Sequence, residues 1–394
     1  MNDSPGSDNQ NPKRQTGKHV NAPKMRREHS LPLLPTPDEL VAMLSRRVIG
    51  HEQAKRDLAV AAYNHLVTCA HSDLRGGRVQ PEPLMLIGPT GSGKSHLFRN
   101  LGEHLGLPMF MIDCSNIAPY GYKGRDVVQH LDELSSKVVH DDYTNPSIVV
   151  LEEVDKLRDD GSQHGSYRRT IQQDFLTYLE GNHCGSGGKL DSSRILTIAC
   201  GAFVGLDAIR FPHRKAMIGF NTLHHGTHPD PKPPPVRPED LVAYGLIPEF
   251  VGRFPRLSSL DSLDATAMRR ILTEAESNVL LRKKEFFQLH GVRLEFTEDA
   301  LDAVVAMAMV HPTGARALRL IIDRVLRSVE HRLPEMAQRG ITALVYDRAA
   351  VRGDVPPAER NSGIPVFLDL LFEVRRRASS YAAWIKPRSV FDDD

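Results

Sequence analysis

The 394-residue chain is long enough for two or three domains, each with its own hydrophobic core. Its 50 basic and 49 acidic side chains leave a formal net charge of +1, so no overall charge indicates a nucleic-acid or membrane-surface partner. The sequence contains no apolar run of about 18 residues, so no membrane span is predicted, and the four scattered cysteines favour the reducing cytoplasm.

The chain begins with a polar segment, residues 1–30, that is rich in Asn, Lys and Arg. It contains too few apolar side chains to offset the entropy lost on folding, so we predict a disordered arm. Order is predicted from residue 31, and Thr36, Pro37 and Glu39 have the spacing of a helix N-terminus.

Short apolar runs follow, separated by helical patterns. They predict strands at residues 83–87, 109–112, 148–151 and 195–198. These runs lack the alternation of half-exposed strands, and such runs are typical of buried parallel sheets. We therefore predict an α/β fold, with a parallel sheet in a large domain over residues 31–257.

The pattern becomes mainly helical after residue 258. Helices are predicted over residues 264–287, 298–310 and 315–332, and an alternating strand over residues 292–296. These elements predict a small, mainly helical domain over residues 258–350. Residues 351–394 form a C-terminal extension to which the sequence assigns no role.

The residues after the first predicted strand match the phosphate-binding pattern G-x-x-x-x-G-K-[ST] and precede a helical pattern. They are Gly88, Pro89, Thr90, Gly91, Ser92, Gly93, Lys94 and Ser95. Backbone N–H groups of such a loop bind phosphate oxygens, helped by the N-terminus of the helix. We expect Lys94 to contact the β- and γ-phosphates of ATP, and the Ser95 hydroxyl to bind Mg²⁺.

Two carboxylates, Glu152 and Glu153, follow the predicted strand at residues 148–151. Ligands of open α/β sheets bind at the carboxyl ends of the strands. Glu152 is expected to hold the Mg²⁺, and Glu153 to polarise the attacking water. Alone, two glutamates could simply begin a charged helix, but the phosphate-binding loop makes the catalytic interpretation the better one.

Residues 31–350 resemble the ClpX branch of the AAA+ ATPases. Besides the phosphate-binding loop, the resemblance depends on short motifs that follow one another in one order. These are Leu34-Pro35-Thr36-Pro37, Val-Ile-Gly-His-Glu-Gln-Ala-Lys (48–55), Ala62-Tyr63-Asn64-His65, Gly-Tyr-Lys-Gly-Arg-Asp (121–126), Leu-Glu-Glu-Val-Asp-Lys (151–156), Gly201-Ala202-Phe203, Ile218-Gly219-Phe220, Leu-Ile-Pro-Glu-Phe-Val-Gly-Arg (246–253) and Thr313-Gly314-Ala315-Arg316. The resemblance implies an AAA+ large domain with a helical lid domain. It also implies a homohexamer that uses ATP to thread unfolded or tagged proteins through a central pore.

The resemblance also implies roles for residues outside the two nucleotide motifs. Val48 and Ile49 would pack on the adenine. Arg253 resembles the arginine finger that reaches the γ-phosphate held by a neighbouring subunit, and Arg316 resembles the second sensor, which contacts the phosphates. A permanently charged, planar guanidinium suits a phosphoryl transition state.

Two further motifs imply protein partners by resemblance. The first is similar to the pore loop that grips a substrate chain with an aromatic side chain, and consists of Gly121, Tyr122, Lys123 and Gly124. The second is similar to the loop that docks the ring on a ClpP-like peptidase, and consists of Ile218, Gly219 and Phe220.

The chain also departs from the ClpX pattern. Residues 1–30 contain no cysteine, so we expect this chain to lack the family's N-terminal zinc-binding domain. The loop histidines His224, His225 and His228 do not have the spacing of a zinc site. Glu152 replaces the usual Asp, which changes the geometry offered to Mg²⁺. Residues 181–194 lack the family's basic pore-entrance loop, so we expect altered substrate choice.

Two alternatives stay open on the sequence alone. A nucleic-acid-remodelling AAA+ ATPase would need a basic face or an appended helix-turn-helix, and the near-zero net charge speaks against it. The second alternative is a scaffold or regulatory subunit of a ring that hydrolyses ATP weakly. Glu152 and the altered loops favour this alternative.

Overall fold

The computed structural model describes residues 34–118, 125–140, 146–211, 234–260, 262–276 and 278–361. The N-terminal arm and most of the C-terminal extension lie outside these ranges. The helices are α1 (Pro37–Arg47), α2 (Glu52–Arg75), α3 (Lys94–Leu105), α4 (Val127–His140), α5 (Gln163–Leu179), α6 (Leu206–Arg210), α7 (Pro238–Tyr244), α8 (Pro248–Val251), α9 (Ala265–Thr273), α10 (Val279–Gln288), α11 (Glu298–Met309), α12 (Arg316–Gln338) and α13 (Arg348–Arg352). The strands are β1 (Leu84–Ile87), β2 (Met109–Asp113), β3 (Ser147–Glu152), β4 (His183–Cys184), β5 (Leu190–Asp191), β6 (Ile195–Gly201), β7 (Arg256–Ser259), β8 (Arg293–Phe296), β9 (Ala343–Tyr346) and β10 (Ala358–Arg360).

A five-stranded parallel sheet in the order β2-β3-β6-β1-β7 forms the centre of the large domain. Alternate residues of β1 enter two different cores: Leu84 and Leu86 pack with α1, α2 and α3, whereas Met85 and Ile87 pack with α4 and α5. Because helices cover both faces, β1, β6 and most of β3 are buried along their length, as their apolar runs predict. The predicted α/β class and parallel sheet are confirmed.

The small domain packs α9–α13 around a second sheet, in the order β10-β9-β8. The prediction of one continuous helix over residues 264–287 is wrong, because α9 ends at Thr273 and α10 begins at Val279. The Asn278 side chain accepts a hydrogen bond from the Leu281 N–H at 2.6 Å and so caps α10. Just before it, the Glu276 N–H donates to the Arg46 carbonyl at the end of α1, 3.2 Å away.

The other predicted elements of the small domain are found with small shifts. α11 ends one residue before the predicted boundary, and α12 continues past residue 332 and through Pro334. β8 lies within residues 292–296. Within the described parts of the chain, none of the helices has the length and apolar character needed to cross a membrane.

Candidate functional site

The phosphate-binding loop connects β1 to α3 at the carboxyl edge of the parallel sheet. The Gly88 N–H donates to the Gly201 carbonyl at 3.2 Å, which ties the start of the loop to the end of β6. A Cβ at Gly88 would lie 2.7 Å from the Leu260 carbonyl oxygen, so only glycine fits there. Gly93, with φ of 104°, precedes α3, and the N-terminus of this helix faces the loop.

A cleft of about 760 Å³ lies between this loop and the small domain. The predicted nucleotide ligands that line it are Val48, Ile49, Thr90, Gly91, Ser92, Gly93, Lys94, Ser95, Glu152, Glu153 and Arg316. Gly88 and Pro89 lie at the loop's start and contact Lys94 through their carbonyl groups. The fold therefore gathers residues that lie more than 250 positions apart in the sequence around one cleft.

Lys94 is held by the loop itself. Its Nζ donates to the carbonyl oxygens of Gly88 and of Pro89, the latter at 3.0 Å. Burial lowers the pKa of this ammonium below its ordinary value, while the nearby Asp155 and Glu152 act in the opposite direction. A phosphate group entering the cleft would replace both carbonyl partners with stronger, charged acceptors.

Ser95 and Glu152 meet across the floor of the cleft. The Ser95 Oγ donates to the Glu152 Oε1 at 2.9 Å, so the longer acidic side chain reaches the hydroxyl directly. Asp113 at the end of β2 pairs in register with Glu152 at the end of β3, and both line the cleft. Hydroxyl and carboxylate oxygens are the ligands that Mg²⁺ prefers, so these residues fit that ion.

Glu153 has a backbone conformation that is rare for a residue with a side chain. It follows β3 directly with φ of 56° and ψ of 38° in the left-handed region, and its side chain is exposed. The next residues hold it there: Val154 and Leu157 are buried, and the Asp155 Oδ1 accepts the Ala202 N–H at 3.1 Å. Such conformations cost about 1–3 kcal/mol and cluster at active sites.

The segment that holds Val48 and Ile49 is fixed by a buried lysine. Lys55 is 1% exposed, and its Nζ donates to the Val48 carbonyl at 3.1 Å, to the Ser45 Oγ at 2.9 Å and to the Glu52 Oε1 at 2.8 Å. Three acceptors satisfy all the donors of the ammonium. Lys55 thus fixes the backbone on which the predicted adenine contacts depend.

His51 adds a second support, because its Nε2 donates to the Ser92 carbonyl at 2.8 Å. Sequence reasoning missed the roles of Lys55, His51, Asp113 and Asp155. Lys55, His51 and Asp155 stand within motifs of the family resemblance, and their place in those motifs is the only indication of a role that the sequence offers. Asp113 stands in none of these motifs.

The small domain contacts the phosphate-binding loop through its backbone. The Ala315 N–H donates to the Gly91 carbonyl at 3.2 Å, and Thr313 and Gly314 pack against Gly91. The next residue, Arg316, is exposed in the cleft at the start of α12. Arg316 therefore faces the loop from the opposite wall.

Arg253 is not among the residues that line this cleft. It lies just after α8, where the buried side chains of Phe250 and Phe254 fix the chain on either side. Gln172 holds the start of this segment, since its Oε1 accepts the Ile247 N–H at 2.7 Å and its Nε2 donates to the Leu157 carbonyl at 2.7 Å. The Arg253 guanidinium donates to Glu180.

The predicted pore loop and peptidase-docking loop lie outside the described residues, as do the three loop histidines. Residues 121–124 and 218–220 therefore keep their roles as predictions. The segment at residues 181–194 is described, and it forms the antiparallel β4–β5 hairpin.

Comparison with known proteins identifies two family models in the chain. The model described as "ATPase family associated with various cellular activities (AAA)" matches residues 84–205. The model described as "C-terminal, D2-small domain, of ClpB protein" matches residues 263–341. The first match covers the chain from β1 to β6, and the second covers α9 to α12.

Several curated proteins are similar to this chain over most of their own length. The "ATP-dependent Clp protease ATP-binding subunit ClpX" of Borrelia duttonii (strain Ly) is 34% identical over 326 residues, 77% of this chain and 76% of that protein. A protein named "ATP-dependent Clp protease ATP-binding subunit ClpX 3" from Methylococcus capsulatus is 34% identical over 364 residues, 82% of each chain. The Porphyromonas gingivalis (strain ATCC 33277) ClpX is 32% identical over 339 residues, 80% of this chain and 81% of that protein.

Proposed function

Because the chain belongs to the ClpX family of AAA+ ATPases, we propose that it is the ATP-driven unfoldase subunit of a Clp-type protease. It binds nucleotide and hydrolyses ATP. The observation that carries the proposal is the single cleft in which Lys94, Ser95, Glu152, Glu153 and Arg316 converge. These are the groups that phosphoryl transfer requires: a cradle for phosphates, oxygen ligands for a cation, a base and a cationic sensor.

Ser95 and Glu152 would hold Mg²⁺ with the nucleotide. The ion would neutralise charge on the β- and γ-phosphates. The 2.9 Å contact between the two side chains supports a competent site, since the extra methylene of Glu152 does not separate its carboxylate from the hydroxyl. This contact speaks against the interpretation of the chain as a ring subunit with a disabled site.

The chain's own residues would act on the phosphates and on the attacking water. Lys94 releases the Gly88 and Pro89 carbonyls and binds phosphate oxygens instead. Glu153, fixed in a left-handed conformation at the strand end, accepts a hydrogen bond from the water and takes its proton as the water oxygen bonds to the γ-phosphorus. The bond from that phosphorus to the bridging oxygen breaks, and ADP leaves with the electron pair. Arg316 contacts the phosphates from the small domain.

The assembly proposed is a homohexamer in which Arg253 of one subunit reaches the γ-phosphate bound by the next. Tyr122 would grip unfolded or tagged substrates in the pore, and Ile218 and Phe220 would dock the ring on a ClpP-like peptidase. The placement of Arg253 outside its own cleft supports action on a neighbour. The four cysteines, all buried as free thiols, are compatible with the cytoplasm as the compartment.

The test is steady-state ATP hydrolysis by the full chain, with and without Mg²⁺. Glu153→Gln should still bind a fluorescent ATP analogue and should lower turnover at least about 100-fold, the usual contribution of a catalytic base. Glu239→Gln changes an exposed carboxylate in α7 and is the matched control. Wild-type turnover no higher than that of Glu153→Gln, despite ATP binding, would refute the ATPase and leave a scaffold subunit.

Protein unfolding is tested separately. The ring is supplied with ATP, a ClpP-type peptidase and a folded, tagged reporter protein, whose loss of fluorescence is followed. Tyr122→Ala should stop unfolding while ATP turnover continues, and Phe220→Ala should stop degradation while unfolding continues. Unfolding that persists in Tyr122→Ala would contradict the pore role.

A further inference from the structure

The Glu180 carboxylate uses both of its oxygens in contacts to other side chains. Its Oε1 accepts a hydrogen bond from Arg253 Nη2, and its Oε2 accepts the Asn182 Nδ2 at 3.0 Å. Asn182 in turn accepts a hydrogen bond from Arg78 through its Oδ1 at 2.5 Å. The carboxylate therefore has a defined orientation, with the Arg253 guanidinium on one oxygen.

The backbone of Glu180 is also fixed. Glu180 caps the C-terminus of α5, where its N–H donates to the Leu176 carbonyl at 3.0 Å. Gly181 follows with φ of 75°, and a Cβ there would lie 2.8 Å from the ring of Pro81. Arg78 donates to the Gly181 carbonyl at 2.9 Å. Glu180 thus stands on a rigid support that belongs to the large domain.

Arg253 depends on Glu180 for its side-chain orientation. Within the part of the chain that the structure describes, Glu180 is the one carboxylate paired with Arg253, and the buried Nε of this arginine has no hydrogen-bond partner. Both side chains are about two-fifths exposed, at 40% and 38%, so the guanidinium lies at the surface of the protomer. A surface arginine without such a partner samples many rotamers, and ordering it costs conformational entropy.

We propose that Glu180 is a positioning residue for the arginine finger. It binds the Nη2 edge of Arg253 and leaves the other N–H groups for the γ-phosphate of the neighbouring subunit. One guanidinium can serve both partners because it carries five donors in a planar fork. The inference depends on the proposed ring, in which Arg253 acts on its neighbour.

The first measurement is ATP turnover by Glu180→Ala and Glu180→Gln. We expect Glu180→Ala to lower kcat about tenfold, the effect of losing one charge-assisted hydrogen bond, with unchanged affinity for a fluorescent ATP analogue. Glu180→Gln keeps an acceptor oxygen and should recover part of the loss. The matched control is Glu82→Ala, which removes the carboxylate 3.3 Å from Arg256, a neighbouring and similarly exposed arginine. A faster Glu180→Ala would mean that the pair sequesters the finger, which overturns the proposal.

The second measurement uses rings that contain two kinds of subunit, because an arginine finger acts on the nucleotide site of the neighbouring subunit. Glu180→Ala subunits, which keep a complete cleft, are titrated with Glu153→Gln subunits, which keep a normal finger and should hydrolyse ATP at least about 100-fold more slowly. Turnover per Glu180→Ala subunit should rise towards the wild-type value as normal fingers reach its sites. No rise would place the effect of Glu180 within its own subunit and overturn the proposal.

The same titration with Arg253→Ala in place of Glu180→Ala tests the arginine-finger role of Arg253 separately from the positioning role of Glu180. If the added subunits restore ATP turnover to Arg253→Ala subunits but not to Glu180→Ala subunits, the proposed ring is supported and the positioning role of Glu180 is wrong. If Arg253→Ala loses no activity, or is not rescued by the added subunits, the proposed arginine finger itself is wrong. Equal unfolding midpoints for all variants confirm that none acts by destabilising the fold.

Discussion

Replacement of Gly91 by alanine tests the contact through which the small domain covers the phosphate-binding loop. Gly91 has φ of +78°, and a Cβ there would lie 1.9 Å from the Thr313 carbonyl oxygen and 3.2 Å from the Gly314 Cα. Gly161 is a matched position, because it has φ of +76° and nothing within 4 Å of its Cβ. The two alanine variants therefore have the same backbone strain, and only Gly91→Ala also brings its Cβ into contact with Thr313.

The magnitude follows from two contributions. Left-handed alanine costs about 1–2 kcal/mol at either position. At Gly91, carbon and oxygen atoms need about 3.3 Å, so Thr313 must move by about 1.4 Å. That movement breaks the 3.2 Å hydrogen bond from the Ala315 N–H to the Gly91 carbonyl, worth about 1 kcal/mol. We expect Gly91→Ala to lose about 2–3 kcal/mol of unfolding free energy, against about 1–2 kcal/mol for Gly161→Ala.

Urea titrations followed by circular dichroism, on nucleotide-free protein, measure this difference. A fluorescent ATP analogue provides a second readout: Gly91→Ala should bind it more weakly, whereas Gly161→Ala should bind it as the wild type does. If the two variants lose the same unfolding free energy, the small domain does not rest on the loop in the free protein.

Three further predictions concern single side chains. Glu152→Asp withdraws the carboxylate by about 1.5 Å, one bond length, so the contact to Ser95 opens and a Mg²⁺ titration of ATPase activity should show a higher half-maximal concentration. Lys55→Met removes the donor to the Val48 carbonyl and should cost about 2 kcal/mol in urea unfolding and weaken binding of the ATP analogue. Burial lowers the pKa of His65 below its ordinary value of 6.5, so the unfolded chain binds a proton that the folded chain does not. Stability should therefore fall as pH drops below about 6.5, and urea unfolding should show a smaller fall in His65→Gln.

Much of the fold could be predicted because its core strands are continuous apolar runs. Residues 148–151 and 195–198 are buried in the sheet, and burial on both faces leaves that signature in the sequence. β7 was missed because this four-residue edge strand carries Arg256, Ser258 and Ser259 and has no apolar run. The break between α9 and α10 was missed because an asparagine cap and a contact to α1 interrupt a pattern that stays helical in its apolar spacing.

The site could be predicted where its residues are neighbours in sequence. The loop from Gly88 to Ser95 and the pair Glu152 and Glu153 each form one short motif with one mechanism. Asp155 shows why the rest could not be found: its carboxylate accepts the N–H of Ala202, which lies 47 residues away. Such contacts depend on the finished sheet, and no local pattern encodes them.

His51 and the small domain act on consecutive peptide groups of the phosphate-binding loop. His51 holds the Ser92 carbonyl at 2.8 Å, and Ala315 holds the Gly91 carbonyl at 3.2 Å. In a planar trans peptide the C=O and the following N–H point in opposite directions. With its carbonyl oxygen on the His51 ring, this peptide therefore points the Gly93 N–H away from that ring. Two adjacent carbonyl groups of the phosphate-binding loop are thus held by two separate elements, the residue that precedes α2 and the small domain.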